Sequence, residues 1–80
     1  MSAGREIALV TGASSGIGME IARILASQNC DLVICARRKK ELEDLSKELT
    51  KKYNINCEVI VADLTTDKGI NNLIKKTKNI

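Results

Sequence analysis

Three short apolar runs punctuate the chain without interruption: Ile-Ala-Leu-Val at 7–10, Leu-Val-Ile-Cys-Ala at 32–36 and Val-Ile-Val-Ala at 59–62. Continuous rather than alternating hydrophobicity is the pattern of a strand buried on both faces, as in a parallel sheet. Between the runs, apolar positions recur at helical spacing. Ile17, Ile21, Ile24 and Leu25 share one face of a first helix, and Leu42, Leu45 and Leu49 share one face of a second. Asn29 stands where a helix terminus in the left-handed conformation is wanted. After the third strand, Thr65 or Thr66 caps a last helix that turns Ile70, Leu73, Ile74 and Ile80 inward, against the weak helix propensity of Gly69 and three asparagines.

The predicted order is strand, helix, strand, helix, strand, helix. Right-handed crossovers lay the strands side by side in the order 3-2-1, with the first two helices on the same face of the sheet. The result is an α/β, β-α-β-α-β half of an incomplete doubly wound sheet, followed by a C-terminal helix. Residues 65–80 alone remain to cover the second face, and the free edge of the first strand has no neighbour. An uncovered apolar face beside an open edge predicts association through that edge, and favours the chain being the first part of a larger fold.

Eighty residues allow one compact unit and leave no room for two. Composition narrows its partners. Tyr53 is the only aromatic residue, so no platform exists for stacking bases, and the net charge of +3 is spread over Arg37–Lys40 and Lys75–Lys78. Nucleic acid is therefore not an expected partner. No apolar run approaches the length of a membrane span, and no hydrophobic leader precedes Ile7. Cys30, Cys35 and Cys57 form no Cys-x-x-Cys pair and no histidine is present, which argues against zinc and for reduced thiols in a cytoplasmic protein.

Three of the five glycines fall in Thr-Gly-Ala-Ser-Ser-Gly-Ile-Gly, residues 11–18, between the first strand and the first helix. A helix N-terminus presents free N–H groups and a partial positive charge, and suits a phosphate if no side chain intervenes. Gly12 permits the tight turn, while Gly16 and Gly18 permit close approach of backbone to ligand and of helix to sheet. Ser14 and Ser15 add hydroxyl donors. The spacing departs from G-x-G-x-x-G, because Ile21 takes its last position, and no lysine makes a P-loop. It closely resembles the Thr-Gly-x-x-x-Gly-x-Gly signature of the short-chain dehydrogenase/reductase family. The resemblance runs on through Leu-Val-Ile-Cys-Ala-Arg-Arg and Val-Ile-Val-Ala-Asp-Leu-Thr, over essentially the whole chain. It implies that residues 1–80 are the N-terminal part of a single Rossmann dinucleotide-binding domain. It also implies that Gly12, Ser14, Ser15, Gly16, Ile17 and Gly18 form the cofactor-binding loop.

In dinucleotide-binding folds, an acid at the end of the second strand bonds the adenosine ribose, whereas a nearby arginine accommodates a 2′-phosphate. Here Ala36 is followed by Arg37 and Arg38, with no carboxylate. NADP(H) is thus expected over NAD(H), with Arg37 the main determinant and Arg38 in support, since a guanidinium makes paired charge-assisted bonds to phosphate. Asp63 matches the family position that receives the adenine amino group, with Leu64 lining the same pocket. Read locally, Asp63 instead bonds backbone N–H groups of the turn that follows.

The family transfers hydride between nicotinamide and a carbonyl or alcohol with a Tyr-x-x-x-Lys pair and a serine. Tyr53 is followed by Asn54, Ile55, Asn56 and Cys57, so that pair is missing. Residues 71–76 lack the alanine and glycine of the family's Asn-Asn-Ala-Gly stretch. No other nucleophile and base pair can be built. The expectation is therefore an NADP(H)-binding segment of an oxidoreductase, with no catalytic residue in this chain. The alternative is a non-catalytic nucleotide-binding module, or half of a split assembly.

Overall fold

A computed structural model describes residues 6–78. Six elements succeed one another: β1 (Ile7–Thr11), α1 (Gly16–Ser27), β2 (Asp31–Ala36), α2 (Lys39–Tyr53), β3 (Cys57–Val61) and α3 (Asp67–Thr77). The strands form one parallel sheet in the order β1-β2-β3, which reproduces the expected neighbours. β3 starts at Cys57, ahead of the apolar run, and ends at Val61. In register, Thr11 lies opposite Cys35 and Ala36 opposite Val61, so all three strands finish at the same edge of the sheet.

The central strand is buried on both faces, which explains its unbroken hydrophobicity. Leu32, Ile34 and Ala36 join Leu42, Leu45 and Leu49 of α2 and Ala22 and Ala26 of α1 in one core. Val33 and Cys35 face the other way and pack with Ile60, Ala62, Leu64 and Leu73. The first two helices therefore share one face, as expected, and α3 takes the opposite one.

The inward faces of two helices differ from the sequence pattern. In α1, Ile17, Ile21 and Ile24 are exposed, Ile17 to 81%, and only Leu25 of the expected set packs against the core. The buried line is Ala22 and Ala26, four residues apart. Small side chains let the helix lie close to the sheet, and at 3.6 residues per turn the isoleucine line then faces away. In α3 the inward line is Gly69 and Leu73, and Ile70 and Ile74, one position further round, are exposed. Ile80 lies outside the described residues.

The turns carry their own signatures. Asn29 has φ 67°, as anticipated, and Asn54, which the pattern did not single out, ends α2 with φ 55°. Thr66 rather than Thr65 caps α3, its hydroxyl oxygen accepting the Gly69 N–H at 3.0 Å. Arg23 of α1 grips Glu48 of α2 through Nε and Nη2 at 2.9 and 3.2 Å. The bond raises the Arg23 pKa and holds the Glu48 carboxyl below its ordinary range. Tyr53 closes α2 and packs against the core shared by the first two helices.

Among the described residues β1 pairs only with β2, and Ile7 and Leu9 remain exposed on the face that α3 covers elsewhere. On that face helix α3 thus protects β2 and β3 but leaves Ile7 and Leu9 of β1 bare. Leu42→Ala, which empties a fully buried position, is expected to cost about 2–5 kcal/mol, and Ile17→Ala less than about 0.5 kcal/mol. Urea unfolding of the 80-residue chain checks this; equal losses would contradict the assignment of the inward face.

Candidate cofactor-binding site

The loops leaving the three strands enclose a cleft of about 350 Å³. Gly12, Ser14, Ser15, Arg37, Arg38, Asp63 and Leu64 all line it, brought together from three separate stretches of sequence. Gly16, Ile17 and Gly18 lie beside it in the first turn of α1 and are not part of the lining. Thr11, Cys35, Ala36, Ala62 and Thr65 complete the wall and were not anticipated. Most of them are strand-end residues whose neighbourhood follows from register, which no local motif encodes. Thr65 did leave a signal, the Asp-x-Thr spacing of a side-chain-closed turn. A wider surface groove of about 550 Å³ runs along α3, but it contains none of the glycine loop.

The loop is shaped by its glycines in two ways. Gly12 and Gly16 have φ of 66° and 45°, with nothing within 4 Å of where a Cβ would stand, so backbone conformation rather than crowding demands glycine there. At Gly18 the reason is contact, since a Cβ would run into the carbonyl of Gly12. Ser15 occupies the N-cap of α1 in extended conformation, yet its side chain makes no capping bond and no acid stands in the first turn. Helices α2 and α3 differ: Glu41 and Asp67 stand in their first turns, and Thr66 caps α3. Among the described helices, α1 alone keeps its partial positive end uncompensated by its own side chains.

Across the cleft, Arg38 Nη1 lies 3.6 Å from Glu41 Oε2, with the arginine side chain largely exposed. Arg37 makes no salt bridge among the described residues. Asp63 uses a single oxygen locally: Oδ1 accepts the Thr65 hydroxyl at 2.6 Å and the Thr65 backbone N–H at 2.9 Å. These two bonds hold its carboxyl below the usual range, and the charge of Arg37 adds to the effect. The Asp63 carbonyl accepts from the Thr66 N–H and hydroxyl at 3.2 and 3.0 Å, and Gly69 presses its Cα against that carbonyl where no Cβ would fit. The turn after β3 is thereby anchored to the start of α3. Burial pushes the Cys35 thiol up, which favours its protonated form.

Among the described residues no group of three or more His, Cys, Asp or Glu is placed to hold a metal ion. None of the described helices is long and apolar enough to cross a membrane.

A glycine corner at a strand-to-helix junction, joined at the sheet's C-terminal edge by arginines one strand over, defines an open α/β domain of the dinucleotide-binding type. The family model for short chain dehydrogenase matches residues 6–80. The chain belongs to that family. Among similar curated proteins, the very-long-chain 3-oxoacyl-CoA reductase of Debaryomyces hansenii is 44% identical over 64 residues, covering 80% of this chain and 18% of the reductase. An uncharacterized oxidoreductase of Staphylococcus saprophyticus is 36% identical over 73 residues, covering 91% of this chain and 31% of its own length. The chain thus spans a third or less of these relatives. Among solved structures, L-sorbose reductase from Gluconobacter frateurii, in complex with NADPH and L-sorbose, superposes with TM-score 0.88 at 27% identity, over 94% of this chain and 28% of that one. An alcohol dehydrogenase from Thermococcus sibiricus, complexed with 5-hydroxy-NADP, gives 0.90 at 31% identity, over 94% and 32%.

Because the folded-state value of Asp63 lies below its unfolded one, its bonds to Thr65 stabilise the turn fully above about pH 4 and fade as pH falls through the lowered value. Asp63→Asn is therefore expected to lose less stability than the parent chain on acidification from about pH 5 to about pH 2. Urea unfolding across that range is the check, and parallel losses in the two proteins would contradict it.

Proposed function

We propose that this chain is the NADP(H)-binding segment of an oxidoreductase that moves hydride between the nicotinamide and a carbonyl or alcohol. We further infer that the chain by itself binds the dinucleotide without performing the redox step. The observation that carries the reading is the meeting, in one cleft, of an uncompensated helix N-terminus and Arg37, with no carboxylate at the end of β2. Backbone N–H groups of residues 14–18 would hold the pyrophosphate, and Gly12 and Gly16 leave it open space. Arg37, with Arg38 once drawn from Glu41, would bind the 2′-phosphate. Asp63 would receive the adenine amino group, and Leu64 would line the base pocket. The NADPH complex of L-sorbose reductase and the 5-hydroxy-NADP complex of the archaeal dehydrogenase support a phosphorylated cofactor. The nicotinamide supplies the hydride when bound.

No catalytic role falls to the residues of this cleft. Tyr53 packs against the core shared by the first two helices, is not among the residues lining the cleft, and lacks a lysine four positions on. Exposed Ile7 and Leu9 on β1, Ile17, Ile21 and Ile24 on α1 and the free β1 edge fit a sheet continued past β1, as in the first part of a larger fold. The same free edge favours a second reading, a non-catalytic nucleotide-binding module or half of a split assembly, which predicts a defined oligomer without nucleotide. The three free cysteines fit a cytoplasmic location.

Arg37→Asp should weaken NADP(H) binding about ten- to a hundredfold while leaving NAD(H) binding undiminished, as titration calorimetry would show. Equal affinity of the parent chain for both dinucleotides, or indifference to the substitution, would remove the claim. Incubated with NADPH and carbonyl substrates, the 80-residue chain should leave absorbance at about 340 nm unchanged; turnover would refute the non-catalytic reading.

A further inference from the structure

Asp63 divides its two carboxylate oxygens unequally. Oδ1 accepts both the hydroxyl and the backbone N–H of Thr65, whereas no hydrogen bond to Oδ2 exists among the described residues. The same aspartate lines the cleft, and its own carbonyl is fixed by Thr66 and by the close approach of Gly69. A carboxylate so tethered cannot turn freely about its last torsion. One oxygen is committed to the turn, and the other is left as an acceptor for a donor in the cleft.

We propose that Thr65 is a positioning residue for base recognition. By occupying Oδ1 of Asp63 it presents Oδ2 to the exocyclic amino group of an adenine bound in the cleft. The proposal rests on the adenine role assigned to Asp63 above and extends it to a residue that does not touch the base. It removes the conflict between the two sequence readings of Asp63, because the turn and the ligand use different oxygens. Of the two bonds, the hydroxyl's can be removed by substitution without altering the backbone, which makes it the one an experiment can probe.

The test compares two dinucleotides that differ at one edge of the base: NADPH, and the analogue carrying hypoxanthine, in which a carbonyl oxygen replaces the amino group and N1 carries a hydrogen. Binding of each is measured by calorimetry to the parent chain and to Thr65→Val, Thr65→Ser and Asp63→Ala. Thr65→Val keeps the N–H and removes the hydroxyl. It should weaken NADPH about three- to tenfold and leave the hypoxanthine analogue within about twofold, and Thr65→Ser should restore the parent affinity for NADPH. If Thr65→Val weakens both dinucleotides alike while Asp63→Ala still separates them, Thr65 is merely part of the turn and the positioning role is overturned. If Asp63→Ala itself fails to separate the two bases, the adenine reading of Asp63 falls, and the inference falls with it.

Discussion

The contact on which the site depends is one that a side chain would forbid. The first turn of α1 lies against the end of β1 so closely that a Cβ on Gly18 would collide with the Gly12 carbonyl. This approach keeps the helix start at the strand exit instead of swinging it out on a longer loop. The neighbouring exits are stitched to the same edge. The Ala13 N–H bonds the Cys35 carbonyl at 3.2 Å, and the Ala62 N–H bonds the Ala36 carbonyl at 3.0 Å. Three loops far apart in sequence thus open into one cleft, and the chemistry of each is available to a single ligand.

Within that cleft the effects differ in size. An uncompensated helix terminus contributes about 0.3–1 kcal/mol toward an anion, and charge-assisted hydrogen bonds about 1.5–3 kcal/mol each. Under the proposed function, the glycine corner would admit the phosphate, and the arginines would set which dinucleotide is held more tightly. Arg38 is tethered to Glu41 by an exposed i,i+3 pair, a weak contact that a phosphate dianion can replace. Asp63, the one acidic residue in the cleft wall among the described residues, follows β3 and is engaged by its own turn.

Much of this was legible in the chain, for identifiable reasons. The central strand read correctly because Leu32 to Ala36 are buried on both sides, and α2 because Leu42, Leu45 and Leu49 are its only large apolar line. The glycine loop was readable because its spacing is tied to backbone geometry. What misled was size. Ala22, Ala26 and Gly69 carry little hydrophobic signal, yet they form the inward faces of α1 and α3 because those helices approach their neighbours closely. The louder isoleucines, which share a face on α1 and have an inward expectation on α3, lie outside. Cys35 and Ala62 joined the cleft through strand register, which depends on pairing rather than on neighbouring residues. Asn54 showed no pattern beyond a residue type that tolerates positive φ.

The central claim is that the backbone between β1 and α1 receives the pyrophosphate. Amide chemical-shift mapping of the isotope-labelled chain during titration with NADPH tests it without altering any residue. The account predicts that the largest shifts fall on the N–H groups of residues 14–18, with smaller ones at Arg37 and Asp63. Shifts confined to the groove along α3, with the amides of residues 14–18 unmoved, would contradict it.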